Sequence, residues 1–271
     1  MKTPTASFLL PSGFAPPGAG AVLRELSSLS EVGRASVRRA SDVVTRGSAI
    51  SGGDGGPVLL IPGFMAGDPT LSVLARHLRG QGYRTYRSSI LANVSCTWRT
   101  SRLIETRLES IVERRATKVR IVGHSLGGML ARVLAVRRPD LVSGIVTLGS
   151  PVLAPAAHHA VLGSHLEFLL LLSRYGVPQV MTPDCVGGDC ARQSFSEMSS
   201  PLAEDIGFTA LYSRRDGIVD WRACLDPSAE HVQVPSSHIG MAFDPRTHDA
   251  VTRALGAQGA GESGAALGDV G

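Results

Sequence analysis

Lys118-Val119-Arg120-Ile121-Val122-Gly123-His124-Ser125-Leu126-Gly127-Gly128-Met129-Leu130-Ala131-Arg132-Val133-Leu134-Ala135 is the stretch that decides the fold. Its first five residues form a short β-branched run that reads as a buried strand. From Gly128 onward apolar residues recur at helical spacing, with no breaker before Pro139. Between the two stands Gly123-His124-Ser125-Leu126-Gly127, a G-x-S-x-G pentapeptide in the strand-turn-helix setting of a nucleophile elbow. In this reading the glycines let the backbone turn sharply, and the serine hydroxyl stands above the sheet edge. It also sits at a helix N-terminus, where unpaired N–H groups favour developing negative charge.

A hydroxyl is a weak nucleophile until a base takes its proton, so such a serine predicts a downstream carboxylate and then a histidine. Phe208-Thr209-Ala210-Leu211-Tyr212-Ser213 reads as a strand that empties into Arg214-Arg215-Asp216-Gly217-Ile218-Val219-Asp220. Glu230-His231-Val232-Gln233-Val234 reads as the next strand, followed by Pro235-Ser236-Ser237-His238. Asp216 and His238 therefore fall in the two strand-exit loops. Asp220 rivals Asp216, since both leave the same strand. Asp216 comes first and precedes Gly217, whereas Asp220 precedes Trp221 as a helix cap would.

These residues resemble the α/β-hydrolases, close to the lipase and esterase branch with a G-H-S-x-G elbow. The resemblance covers roughly residues 56–255, with Ser125, Asp216 and His238 in the family's order. Leu59-Leu60-Ile61-Pro62-Gly63-Phe64-Met65 is similar to the family's oxyanion turn, with Pro62 where lipases often carry His. The resemblance implies that the backbone N–H groups of Phe64 and Leu126 form the oxyanion hole, and two such preorganised donors suit a tetrahedral intermediate. It implies an acyl-enzyme route to hydrolysis of carboxylic esters. Acyl transfer or thioester cleavage by the same triad stays open, as does a non-catalytic ligand receptor on the same fold. Neither a cofactor nor a metal is expected.

The remaining histidines fit packing or surface roles. His124 points away from its neighbour at a sharp turn, His77 falls on the solvated face of an amphipathic helix, and His231 opens a strand too early. His158, His159 and His165 have no Cys or Asp at metal-binding spacing.

At 271 residues, with 43% hydrophobic and 18% charged residues, the chain is ordinary for a globular enzyme able to bury a large core. Its 27 basic and 23 acidic residues leave a net charge of +4. The basic residues are nearly all Arg and scattered along helices, which argues against a nucleic-acid surface. No run reaches the roughly 18 apolar residues of a membrane span, so no stable membrane insertion is expected. Phe8-Leu9-Leu10 is too brief for a signal core, which points to the cytoplasm. Cys185-Val186-Gly187-Gly188-Asp189-Cys190 would close readily as a disulfide in an oxidising compartment, so export stays open. Composition is silent on oligomeric state; the expected partner is a hydrophobic small-molecule ester.

Three regions follow. Residues 1–55 form an N-terminal extension, loose over 1–20 and then helical, with Val22, Leu26, Leu29 and Val37 as the apolar face and Gly33 as an interruption. Residues 56–255 alternate strand and helix, which predicts a mostly parallel sheet of about six strands with helices on both faces. Strands are expected near 58–61, 84–88, 119–122, 144–148, 208–212 and 230–234, and helices near 70–80, 100–115, 127–138 and 246–255. Residues 151–205 break the alternation with one apolar helix and a long loop, read as a cap that supplies an acyl-binding wall. Residues 256–271 are almost wholly small and are expected to be disordered.

Overall fold

The computed structural model describes residues 6–28, 30–34 and 54–267, with side chains as far as residue 260. Six strands, β1 (Pro57–Ile61), β2 (Arg84–Arg87), β3 (Val119–His124), β4 (Val142–Leu148), β5 (Gly207–Tyr212) and β6 (Glu230–Gln233), form one sheet. Their order is β2-β1-β3-β4-β5-β6, and every neighbouring pair is parallel. These are the six expected strands. Parallel strands need crossovers, and a central parallel sheet must be covered on both faces. The central strands β1, β3 and β4 are accordingly buried along nearly their whole length.

Alternation along each strand divides the core in two. Val58, Leu60, Val122, Val146 and Leu148 face helices α1 (Ser72–Gly80) and α7 (Pro245–Leu267). Leu59, Ile61, Ile121 and Ile145 face α2 (Thr97–Arg115) and α3 (Leu126–Arg137). The chain leaves β1 toward β2 on one side and returns to β3 on the other. The C-terminal ends of β1 and β3 therefore border the switch point at which open α/β sheets present their loops to ligands.

Over the same edge lies the segment between β4 and β5. It holds the expected apolar helix, α4 (Ala160–Arg174), but the expected long loop contains two more helices, α5 (Pro183–Gly187) and α6 (Asp189–Met198). Pro183 starts the first of these, and the Asp184 carboxylate accepts the Asp189 N–H at 2.8 Å, which joins one turn to the next. Among the described residues no helix is long and apolar enough to cross a membrane.

Two expectations for the ends of the chain need correction. Residues 256–267 are not a disordered tail but continue α7, whose Gln258 amide donates to the Ile145 carbonyl at 3.1 Å. Alanine and glutamine favour helix, and this contact docks the added turns on the sheet. Residues 268–271 lie outside the described residues. Nor is the stretch from residue 6 to 20 loose: Ala156 N–H donates to the Leu9 carbonyl at 2.9 Å, and Leu10 and Phe14 pack on Ala154 and Ala157. The 3-10 helix Ala19–Ser27 and the helical residues 30–34 follow, uninterrupted at Gly33. Beside Ala21 and part-buried Val22, their buried side includes two acidic residues. Leu26 is exposed while Glu25 and Glu31 are buried; Leu29 and Val37 lie outside the described residues.

Candidate active site

Ser125 bridges β3 and α3, and the turn is made by the serine itself. It holds φ 52° and ψ −120°, a conformation L-residues rarely adopt and that costs roughly 1–3 kcal/mol. The elbow glycines do not take positive φ; they provide room. A Cβ on Gly123 would strike the Gly127 backbone, and one on Gly127 would strike the Ile61 carbonyl. The strain is held by the sheet, since Ser125 N–H donates to the Leu148 carbonyl at 2.8 Å.

Asp216 and His238 meet above β5 and β6. His238 Nδ1 lies 2.6 Å from Asp216 Oδ2, and both side chains are almost fully buried. The other carboxylate oxygen accepts N–H groups of Ile218 and Val219, each at 2.8 Å. Asp216 is thus fixed at both ends, and Nδ1 of His238 carries the proton it donates. That tautomer leaves Nε2 unprotonated. Burial pushes the His238 imidazolium down, but the Asp216 charge and hydrogen bond outweigh it, with a smaller push from Glu25. The net direction is upward from the ordinary histidine value. Gly149, at φ +56°, marks how close this pair lies to the β4 exit: a Cβ there would stand 3.1 Å from His238 Nδ1 and 3.2 Å from Asp216 Oδ2. Gly149→Ala should therefore lower turnover by about tenfold with little change in KM, checked by steady-state kinetics on a soluble substrate.

Asp220 takes a different place. It caps the 3-10 helix Trp221–Cys224 by accepting Arg222 N–H at 3.1 Å, and its second oxygen accepts Ala15 N–H at 3.3 Å. His124 packs its ring 5.0 Å from that of His238, and its Nε2–H donates to the His238 carbonyl at 2.9 Å. Burial and the neighbouring His238 push its pKa down to about 4, so it stays neutral and anchors the loop that carries His238. His159 caps α4, His158 and His165 bond nearby carbonyls, and His77 is tucked against Thr252 of α7 rather than solvated.

Phe64, Ser125 and Leu126 line one cavity of about 220 Å³. Its remaining wall is mainly apolar, with Met129 of α3, Leu162, Leu166 and Leu170 of α4, and Phe195 and Met198 of α6. Asn93 secures the turn after β1: its side-chain N–H donates to the Pro62 carbonyl at 2.9 Å, and its own carbonyl accepts the Met65 N–H at 3.0 Å.

The least anticipated contributor is Glu25. One oxygen accepts N–H groups of Gly217 at 2.9 Å and His238 at 3.0 Å, and the other accepts Ile239 N–H at 2.8 Å. Glu31 repeats the device one loop position earlier, accepting Ser237 N–H at 2.9 Å and Ser237 Oγ–H at 2.7 Å. The N-terminal extension thereby ties the Asp216 loop to the His238 loop. A sequence signal exists: these are the first two acidic residues of the chain, and every other charge within residues 1–41 is basic. Glu25→Gln puts an amide donor where three donors converge. It should reduce kcat by about 10²-fold and stability by about 2–3 kcal/mol, read by kinetics and urea unfolding. Losing a negative charge also lowers the His238 pKa, so the acidic limb of the pH–rate profile should move to lower pH.

A family model described as a PGAP1-like alpha/beta domain matches residues 100–175, which span β3, the serine turn, β4 and α4. A triacylglycerol lipase of Pseudarthrobacter phenanthrenivorans is 28% identical over 104 residues, 35% of this chain and 33% of its own length. The aligned region thus spans about a third of that relative. Among solved structures, the monoacylglycerol lipase of Paleococcus ferrophilus superposes with a TM-score of 0.54 at 17% identity, covering 75% of this chain and 95% of the other. The mature form of a Bacillus licheniformis lipase gives 0.57 at 14% identity, covering 74% and 91%. At such identities the structural likeness carries the fold, the α/β-hydrolase fold.

Proposed function

We propose that this member of the α/β-hydrolase superfamily, a hydrolase of the lipase/esterase type, cleaves hydrophobic carboxylic esters through an acyl-enzyme on Ser125. His238 Nε2 takes the serine proton as Oγ attacks the ester carbonyl. Asp216 holds the imidazole in the required tautomer and stabilises it when charged. The N–H groups of Phe64 and Leu126 receive the developing oxyanion, aided by the N-terminus of α3. His238 then protonates the departing alkoxide and activates the water that releases the acid.

The observation that carries this reading is the 2.6 Å contact between His238 Nδ1 and Asp216 Oδ2. A buried His–carboxylate pair fixed by two further N–H donors beside a strained serine has no evident packing purpose. The apolar cavity supports an acyl chain as the group bound, and acylglycerols fit the relatives' substrates. A fluorophosphonate probe should label Ser125, mapped by peptide mass spectrometry. An unlabelled, folded protein would favour a ligand receptor instead.

Chain-length dependence tests the cavity. Across p-nitrophenyl esters, kcat/KM should rise by up to about fourfold per added methylene and then level off. Leu166→Trp narrows the cavity and should bring the plateau to shorter chains while sparing acetate. A flat profile would remove the acyl chain from this cavity.

A further inference from the structure

Three cysteines outside the ester chemistry converge at the edge of the same cavity, which Cys185 lines. Cys96 immediately precedes α2, Cys185 lies in α5, and Cys190 is in the first turn of α6. Their sulfurs all lie within 4.8 Å of one another, and Cys96 Sγ stands 3.1 Å from Cys190 Sγ although 94 positions separate them in the chain. All three are part-exposed, whereas Cys224 is buried elsewhere. Spacing in the sequence points to Cys185 with Cys190; the fold instead brings Cys190 into direct contact with Cys96.

Two chemistries suit clustered thiols. A tetrahedral zinc ion holds sulfurs at about 2.3 Å, which separates them by roughly 3.8 Å, and it wants a fourth ligand. Among the described residues no His, Asp or Glu joins this group. The 3.1 Å approach is too short for two ligands of one ion and needs only a shift of about 1 Å to reach a disulfide. The thiols are also unequal. Burial pushes Cys96 up, but hydrogen bonds from the Arg99 backbone and from the thiols of Cys190 and Cys185 outweigh it and bring it below the ordinary range. Burial and the charge on Cys96 push Cys190 up to about 12. Of the three thiols Cys96, at the start of a long helix, is therefore the most readily ionised.

We propose that Cys96, Cys185 and Cys190 form a thiol–disulfide site in which Cys96 is the attacking thiolate, Cys190 its resolving partner and Cys185 the alternate. The oxidant is a small-molecule disulfide. Cys96 attacks one of its sulfurs, forming a mixed disulfide and expelling a thiolate. That thiolate takes the Cys190 proton, and Cys190 attacks Cys96 Sγ and expels the second thiolate, which is protonated from water. The two protein thiols are oxidised by two electrons, and one small disulfide is reduced to two thiols. The product joins α2 to α6. Thr97 and Ser101 on one side and Ala191 and Ser194 on the other line the cavity, so the bond closes its wall at the seam.

This inference stands apart from the reading of Ser125, and its test needs no substrate. The purified full-length protein is reduced, desalted, exposed to hydroxyethyl disulfide, alkylated and mapped without reduction. The expected result is a Cys96–Cys190 peptide pair in most molecules, with Tm raised by about 5–15 °C over the reduced protein. In Cys190→Ser the bond should move to Cys96–Cys185, and in Cys96→Ser no peptide pair should reach that yield. Three outcomes would overturn the site: Cys185–Cys190 as the main pair, Cys96 still open to alkylation after oxidation, or all three thiols shielded by a zinc ion that a chelator removes.

Discussion

Ser125→Ala should lower ester turnover by about 10⁴- to 10⁶-fold while leaving the chain folded. The substitution removes only Oγ, and no hydrogen bond that shapes the turn depends on it; the Leu148 contact uses the backbone N–H. Alanine meets the same cost at φ 52° as serine, so the strained geometry and the start of α3 should persist. What disappears is the atom that forms the acyl bond. The oxyanion donors and the cavity remain, and these can still speed attack by water, which sets the floor. Near-unchanged Tm with activity at that floor is the expected pair of readings. A folded variant keeping more than about a tenth of wild-type turnover would end the serine-hydrolase reading.

The sheet and the candidate residues at its edge are legible for one shared reason. Core strands buried on both faces are written as unbroken apolar runs such as Val58-Leu59-Leu60-Ile61, and each run's exit carries a residue whose chemistry is local to that loop. Ser125, Asp216 and His238 are each announced by the strand before them. The N-terminal extension obeys another logic. Its function lies in Glu25 and Glu31, whose partners are backbone N–H groups about 190 to 215 positions away. Backbone donors leave no trace in residue type, so reading that stretch by its apolar residues picked out Leu26, which is exposed, and passed over Glu25 and Glu31, which are buried. The glycines of the elbow misled in a smaller way. A G-x-S-x-G string is naturally read as flexibility, yet positive φ falls on the serine, and Gly123 and Gly127 answer to crowding from the helix backbone and from Ile61. The cysteines follow the same pattern: spacing links Cys185 to Cys190, and only the packing of α6 against α2 brings Cys96 to them.

Asp216→Asn is expected to reduce turnover by about 10⁴-fold, and Asp220→Asn by no more than about threefold. The first figure follows from how Asp216 is held. Oδ1 already accepts two N–H groups, from Ile218 and Val219, so an asparagine must turn its carbonyl oxygen to that side. Its amide nitrogen then faces His238 Nδ1, two donors would meet at 2.6 Å, and the imidazole must move its proton to Nε2. In that tautomer Nε2 cannot accept the serine proton. The negative charge that supports the imidazolium is lost as well. The Asp216 charge and hydrogen bond raise the His238 pKa against the opposing effect of burial, so the residual activity should show its acidic limb at lower pH than the wild type. Asp220 bears no such relation to the imidazole. Its cap contact to Arg222 N–H needs one oxygen, which asparagine supplies, and only the longer Ala15 contact is weakened. Kinetics of both folded variants on one short-chain ester decide between them. Should Asp220→Asn prove the more damaging, the catalytic acid would move to Asp220, and the buried Asp216–His238 pair would have to be explained as packing alone.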